Sequence, residues 1–234
     1  MADIVWLDST TSTNLVVKEA NGLLDGAVAF SQTQGRGRLG RTFHSPYGGI
    51  YMSFLVRGDA VSLSQDLVTA RAAVAVKRAL LEVAGVKAGI KWVNDLYLDG
   101  RKVCGILTEA CPFGAVVGIG INWDTPSDAF PEDLRDKAGS VFKDVRPLSE
   151  KRLFAEKVRE HLKKVMVDVQ WIDEYAKADI LAGCEVDVIR AGCVVAHGKA
   201  VGIDGNAALH VMTQNGELVL STGEVSIRFE QQAV

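Results

Sequence analysis

The chain has no uninterrupted apolar run of the roughly 18 to 20 residues that a membrane-spanning helix needs. It has no basic segment at its start either. Met1-Ala2-Asp3 leads straight into an apolar stretch, which speaks against a secretory leader and for a cytoplasmic protein. Its four cysteines (Cys104, Cys111, Cys184 and Cys193) show no C-x-x-C spacing and read as structural thiols of a reducing compartment. Strong charge of one sign is missing: the net charge is -3 over 234 residues, so bulk binding to a polyanion is excluded and any basic patch is local. Internal repeats, low-complexity tracts and a Walker A sequence are absent as well. What remains, 48% hydrophobic and 24% charged, is an ordinary globular composition, long enough for one packed domain with a small appendage.

The elements follow from periodicity. Residues 4–7 and 27–32 read as strands, with a turn at 22–26 between them and the hydroxyl-rich Asp8–Asn14 capping a helix from about Leu15. A strand over 50–56 precedes a helix capped by Ser62 or Ser64. That helix carries Leu67, Ala70, Val74, Lys77 and Leu81 at helical spacing and stops at Gly85. Asp99-Gly100 between extended runs predicts a two-residue hairpin turn. Residues 115–121, apolar on both faces, read as a central buried strand whose glycines invite close approach by a backbone or a ligand. Residues 124–145 are irregular. Helices follow from Ser149 to about 165, with Leu153, Phe154, Val158, Leu162 and Val165 as the apolar stripe, and over 169–178. Beyond residue 182, short strands separated by glycine turns predict a small barrel.

Gly35-Arg36-Gly37-Arg38-Leu39-Gly40-Arg41 is too charged to bury and suits an anion-binding loop. Its G-x-G-x-x-G spacing follows a predicted strand, as a dinucleotide fingerprint requires. Ser45-Pro46 and Gly48-Gly49 then break the helix that the fingerprint also requires, and that reading fails. Lys102, just past the hairpin turn, lies two residues from Cys104 and is expected on the same strand face.

Taken in order, four blocks resemble the biotin protein ligases. They are Ser12-Thr13-Asn14; Gln32 to Arg41 with Ser45-Pro46; Lys91-Trp92-Val93-Asn94-Asp95 with Lys102 and Gly105-Ile106; and Gly118-Ile119-Gly120-Ile121-Asn122. The tail, Gly223 to Arg228, is similar to the family's closing barrel strand. The resemblance implies an α+β fold: a mixed sheet flanked by helices, of class II synthetase-like type, over residues 1–182, then an SH3-like β-barrel over 183–234. It implies joining of biotin to ATP as biotinoyl-5'-AMP and passage of biotin to a lysine of a biotin carboxyl carrier protein. Mg²⁺ would arrive with ATP, without a protein metal cage.

By resemblance, Ser12, Thr13, Asn14 and Gln32 would bond the ureido ring. Gly35, Arg36, Gly37 and Arg38 would hold biotin and the adenylate. Lys102, with Arg38, would act at the biotin carboxylate and α-phosphate. Gly105, Gly118 and Gly120 would floor the pocket, while Arg41, Phe43, Asn94, Asp95 and Asn122 would face the nucleotide. The resemblance further implies a homodimer formed through the sheet. The chain starts at the catalytic region, so a ligase without a DNA-binding domain is expected. Two positions depart from the family pattern: Phe43 replaces a tryptophan, and Val93 replaces the proline of Lys-Trp-Pro-Asn-Asp. A lipoate ligase is disfavoured because its recognition loop is of a Gly-Gly-Gly type. A nucleic-acid module is disfavoured by the acidic total charge and by the lack of an aromatic-plus-basic strand face.

Overall fold

The computed structural model describes residues 3–57, 64–190 and 192–221, and the backbone of 225–229. Ser62, one of the two candidate helix caps, and Gly223-Glu224, the start of the closing-strand motif, lie outside the described residues.

Seven strands form the first sheet: β1 (Asp3–Leu7), β2 (Leu24–Ala29), β3 (Gly49–Arg57), β4 (Gly89–Lys91), β5 (Asp95–Leu98), β6 (Arg101–Cys111) and β7 (Gly114–Asn122). Their spatial order is β1-β2-β3-β7-β6-β5-β4. Only β1 and β2 run parallel, so the sheet is mixed. The glycine-bearing β7 is its central strand, as its apolar content predicts. Asp99 and Gly100 both take positive φ, the requirement of a tight hairpin turn between β5 and β6. The expected turn over 22–26 is shorter than predicted: β2 begins at Leu24, and Gly26 lies within it, where a Cβ would stand 2.7 Å from the Phe54 ring.

Among the described residues four α-helices flank this sheet: α1 (Thr13–Glu19), α2 (Gln65–Ala79), α3 (Leu148–Val167) and α4 (Trp171–Ala178). The Ser64 hydroxyl accepts from the Leu67 amide and caps α2. After a wider final turn over Leu80–Ala84, Gly85 closes the helix in the left-handed conformation. The single stripe expected on α2 is too narrow. Val68 to Ala70, Ala72 to Val76, Ala79 and Leu80 are buried, because α3 and α4 cover the side turned away from the sheet, whereas Leu81 is half exposed. Small alanines permit that two-sided burial. On α3 the predicted stripe holds except at Leu153, which is exposed, with Ala155 buried beside it.

The second sheet is antiparallel throughout, in the order β11-β10-β9-β8-β12: β8 (Glu185–Arg190), β9 (Cys193–Ile203), β10 (Leu209–Thr213), β11 (Gly216–Leu220) and β12 (Val225–Phe229). It is consistent with the small SH3-like barrel. The segment between β7 and α3 is irregular but anchored. Lys151 Nζ lies 2.6 Å from the Asp124 carboxylate, which is almost fully buried and also accepts from the Arg146 amide. Among the described residues no helix is long and apolar enough to cross a membrane.

Asp179, just after α4, pairs its backbone with Ile90 on the sheet edge. Its Oδ1 accepts from the Leu181 amide, while the buried Oδ2 has no partner. Burial pushes its pKa from 3.8 up to about 6. The folded state therefore holds this proton more tightly than the unfolded chain. The associated stability is present below the unfolded pKa and is lost as pH rises through about 6. Asp179→Asn keeps the acceptor and removes the charge. Urea unfolding should show it more stable than the wild type near pH 7.5, by on the order of 2 kcal/mol, and no more stable near pH 4.

Candidate active site

The site begins with the alternation of a strand. On β7, Val117, Ile119 and Ile121 point into the core beneath α2, whereas Gly118 and Gly120 occupy the opposite face. On β6, Cys104, Ile106 and Thr108 are buried, while Gly105, Leu107 and Glu109 share the other face. Register sets Gly105 beside Gly120, with Tyr51 across from Gly120 and Ser53 across from Gly118. One sheet face is thus full and the other is hollowed by glycine. The expectation that β7 is apolar on both faces needs this refinement. A cleft of about 360 Å³ opens over the hollow.

One end of the cleft is neutral and hydrogen-bonding. The first turn of α1 brings Thr13 and Asn14 there, both almost fully buried. Gln32 Oε1 accepts from the Thr13 amide at 2.8 Å, and its Nε2 donates to Ser45 Oγ at 3.1 Å. Ser53 Oγ stands 2.6 Å from Asn14 Oδ1 and 2.7 Å from Thr13 Oγ1. Asn14 Nδ2 donates to Glu109 at 2.7 Å, and Lys18 pairs with the other oxygen of that carboxylate.

The other end is charged. Arg38 Nη1 donates to Asn94 Oδ1 at 3.3 Å, Asn94 Nδ2 donates to Asp95 Oδ1 at 2.9 Å, and Lys102 Nζ lies 2.7 Å from the same Asp95 oxygen. The side chain of Lys102 lies across Gly105, where an added Cβ would meet its Nζ at 3.3 Å. Tyr97 and Lys91 extend this end, the Lys91 ammonium 5.6 Å from the Tyr97 ring centre. Burial, helped by Asp95, pushes the Tyr97 phenol up to about 12, so it stays a donor at neutral pH.

The Arg/Gly segment is a small hairpin rather than an open loop. Arg36 pairs with Thr42, Gly37 N donates to Arg41 O, and Phe43 N donates to Gly35 O. Its tip, Arg38–Gly40, turns through positive φ at Leu39 and Gly40. Phe43 lies on the glycine floor: a Cβ on Gly120 would sit 2.4 Å from its ring, and one on Gly105 2.8 Å.

Nearly every residue expected at the site lines this cleft: Ser12, Thr13, Asn14 and Gln32 at one end, Arg36, Gly37, Arg38, Arg41 and Phe43 from the hairpin, and Asn94, Asp95, Lys102 and the three floor glycines. Two do not. Gly35 is buried inside the hairpin. Asn122 is buried behind the floor, where its Nδ2 donates to the Gly139 carbonyl. The face predicted for Lys102 is corrected too. A bulge sets both Lys102 and Val103 against Tyr97, which turns Lys102 to the cleft while Cys104 stays in the core. Phe43, expected to face the nucleotide, lines the cleft with its ring on the floor. The sequence reading missed Ser53, Glu109, Lys18, Tyr97 and the contributions of Ile189 on β8 and Gly192 in the turn before β9. A lone serine inside the apolar run 50–56, and a glutamate four residues after Gly105 on the same face, were the available signals. Among the described residues no cluster of three or more His, Cys, Asp or Glu side chains is placed to hold a metal ion.

The close approach at Gly35 is testable. A Cβ there would stand 2.3 Å from the Phe43 carbonyl oxygen and 2.4 Å from Ser45 Oγ. Gly35→Ala should pry the hairpin open and speed tryptic cleavage after Arg36, Arg38 or Arg41 several-fold while the thermal unfolding midpoint stays near that of the wild type. Unchanged cleavage would show that the hairpin absorbs the methyl group.

Known proteins place this cleft in context. The sequence profile of the Biotin/lipoate A/B protein ligase family matches residues 7–125, about half of the chain. A bifunctional ligase/repressor BirA of Bacillus spizizenii is 29% identical over 96% of this chain and 74% of its own length. A biotin–[acetyl-CoA-carboxylase] ligase of Mycobacterium tuberculosis is 27% identical over 95% of this chain and 87% of its own. A biotin protein ligase from Aquifex aeolicus, solved in complex with biotin and ATP, superposes with a TM-score of 0.83 at 29% identity, covering 98% of this chain and all of the other. With the profile spanning strands, hairpin and glycine floor alike, the chain belongs to the biotin/lipoate A/B protein ligase family.

Proposed function

We propose that this chain is an ATP-dependent ligase that activates biotin as biotinoyl-5'-AMP and transfers it to a specific lysine of a biotin carboxyl carrier protein. The observation that carries the reading is one cleft with two unlike ends joined by a floor of glycines. A ureido group has one carbonyl acceptor and two N–H donors, which suits the neutral end. An acyl chain needs an apolar path, and the glycine floor beneath the Phe43 ring offers one. A carboxylate meeting a triphosphate needs cations, and Lys102 and Arg38 stand at that end. The Aquifex relative solved with biotin and ATP supports the pairing of substrates.

In the first step a biotin carboxylate oxygen attacks the α-phosphorus of ATP, the bond to the bridging oxygen breaks, and pyrophosphate leaves. Lys102 and Arg38 offset charge on the carboxylate and the α-phosphate as they meet. Arg36 and Arg41 hold phosphate oxygens as planar donors. Mg²⁺ arriving with ATP would be held mainly by phosphate and water, with Asn94 and Asp95 as the nearby residues whose oxygen atoms suit it, and would offset the phosphate charge. In the second step the carrier lysine amine attacks the acyl carbonyl, an amide forms, a proton is lost and AMP departs. Phe43 covers the acyl path and keeps water from the mixed anhydride. Ser12, Thr13, Asn14 and Gln32 receive the ureido ring, and Gly35 serves the hairpin that carries the arginines. Catalytic residues 1–182 followed by a barrel over 183–234, a homodimer and a cytoplasmic site of action belong to the same reading and rest on the family resemblance.

Lipoate is the other substrate class within the family. Its dithiolane ring has nothing to pair with a hydrogen-bonding end, so biotin is favoured. Calorimetric titration should show biotin binding and lipoate binding much more weakly; the reverse order would sink the proposal. Lys102→Ala should cut pyrophosphate release by about a hundredfold or more with the unfolding midpoint intact. Normal release would remove Lys102 from the chemistry. Arg38→Gly should let the adenylate escape, read as biotinylation of bystander proteins mixed with the enzyme. Tight retention in that variant would contradict the role given to the hairpin.

A further inference from the structure

We infer that Glu109 is a positioning residue that fixes the hydrogen-bonding sense of Asn14 and thereby the selectivity of the neutral end for a ureido ring. The inference rests on the biotin reading above.

An asparagine amide has two faces of similar shape and opposite polarity, and nothing intrinsic decides which way it turns. Here both sides are decided. Asn14 Nδ2 lies 2.7 Å from Glu109 Oε2, and an ionised carboxylate only accepts, so the amino group must face it. Burial works against the charge on Glu109, but hydrogen bonds from Lys18 and Asn14 and the positive field of Arg36 hold its pKa below the usual range. On the opposite side, Asn14 Oδ1 only accepts, so the single hydroxyl proton of the fully buried Ser53 goes to it at 2.6 Å. Thr13 Oγ1 lies 2.7 Å from Ser53 Oγ and turns its own proton to Gln32 Oε1 at 3.2 Å. Glu109 does not line the cleft. It stands behind Asn14, on the β6 face shared with Gly105 and Leu107. Asn14 lies against Gly118, where even a methyl group would come 2.1 Å from its Oδ1. The amide is therefore fixed by neighbours from α1, β3, β6 and β7 before any ligand arrives, which removes an ordering cost from binding.

Glu109→Gln tests this without changing shape. A glutamine at 109 can accept from or donate to Asn14, so the amide is free to face either way. The KM for biotin in adenylate formation should rise about tenfold, the weight of one hydrogen bond, with the KM for ATP and kcat within twofold of wild type. Desthiobiotin, which keeps the ureido group, should lose by the same factor. Asn14→Ala should raise the biotin KM as well, and Glu109→Gln added to it should cost nothing more. Ser53→Ala, which removes the donor on the other side of the amide and spares the Lys18–Glu109 pair, should give the same selective rise and serves if the first variant folds poorly. Additive losses in the double variant, an unchanged biotin KM, or an equal rise in the ATP KM would overturn the inference. Failure of the wild-type protein to bind biotin in calorimetry would instead overturn the functional reading itself.

Discussion

The site depends on a constraint of β-structure: successive side chains point to opposite faces, so one strand can carry a core and a void at once. In β7 the odd positions Val117, Ile119 and Ile121 bind the sheet to α2, and the even positions Gly118 and Gly120 leave room above it. A cleft cut this way costs the core nothing, because no core side chain was removed to make it. The cost falls on backbone entropy, since glycine in a strand interior weakens it. Being central in the sheet, with β3 and β6 on either side, β7 is held firmly enough to bear it. Phe43 then reaches the floor from the hairpin, and the Asn14 amide reaches it from α1, because no Cβ stands in their way.

Charge at the far end is organised before any anion arrives. Lys102 and Arg38 are linked through Asp95 and Asn94, so the cations are held at spacings that bare lysine and arginine side chains would not keep. Both members of the Lys102–Asp95 pair are partly exposed, which makes the contact weak and easily exchanged. A phosphate or carboxylate oxygen can therefore replace the Asp95 oxygen on Lys102 at small cost.

Much of this was legible in the residues. Period-two and period-3.6 patterns gave the strands and helices, and Asp99-Gly100 gave the hairpin that carries Lys102. What pattern alone could not give was whatever depends on a break in periodicity or on distant neighbours. The bulge opposite Tyr97 reverses the face of Lys102, and no propensity marks it. Asn122 follows the glycine strand as a nucleotide ligand would, yet its amide is drawn to Gly139 by a segment 17 residues on. Gly35 reads as one of three flexible glycines, but it is needed because two backbone strands of the hairpin touch there. Glu109 looks like a solvated strand residue until α1 is seen to bring Asn14 and Lys18 against it.

The same long-range logic joins the two sheets. Asn94 and Asp95 follow Trp92 and Val93, and that short segment is held from two sides. The Trp92 indole donates to the Ala207 carbonyl at 2.8 Å, and the Tyr175 hydroxyl donates to the Val93 carbonyl at 3.0 Å. Ala207 lies in a turn tied by Asp204, whose Oδ1 accepts from the Asn206 and Ala208 amides. Tyr175 is completely buried on α4, and burial, reinforced by Asp179, keeps its phenol protonated as the donor. Lys102 is clamped from a third direction, its amide donating to the Lys137 carbonyl and its carbonyl accepting from Gly139. The charged end of the cleft is therefore positioned by the second sheet, by α4 and by the segment before α3, none of which supplies its charges. The neutral end is positioned almost wholly by α1 and the central strands. The C-terminal sheet is thus tied to the charged end through Trp92, besides the lining that Ile189 and Gly192 give the cleft directly.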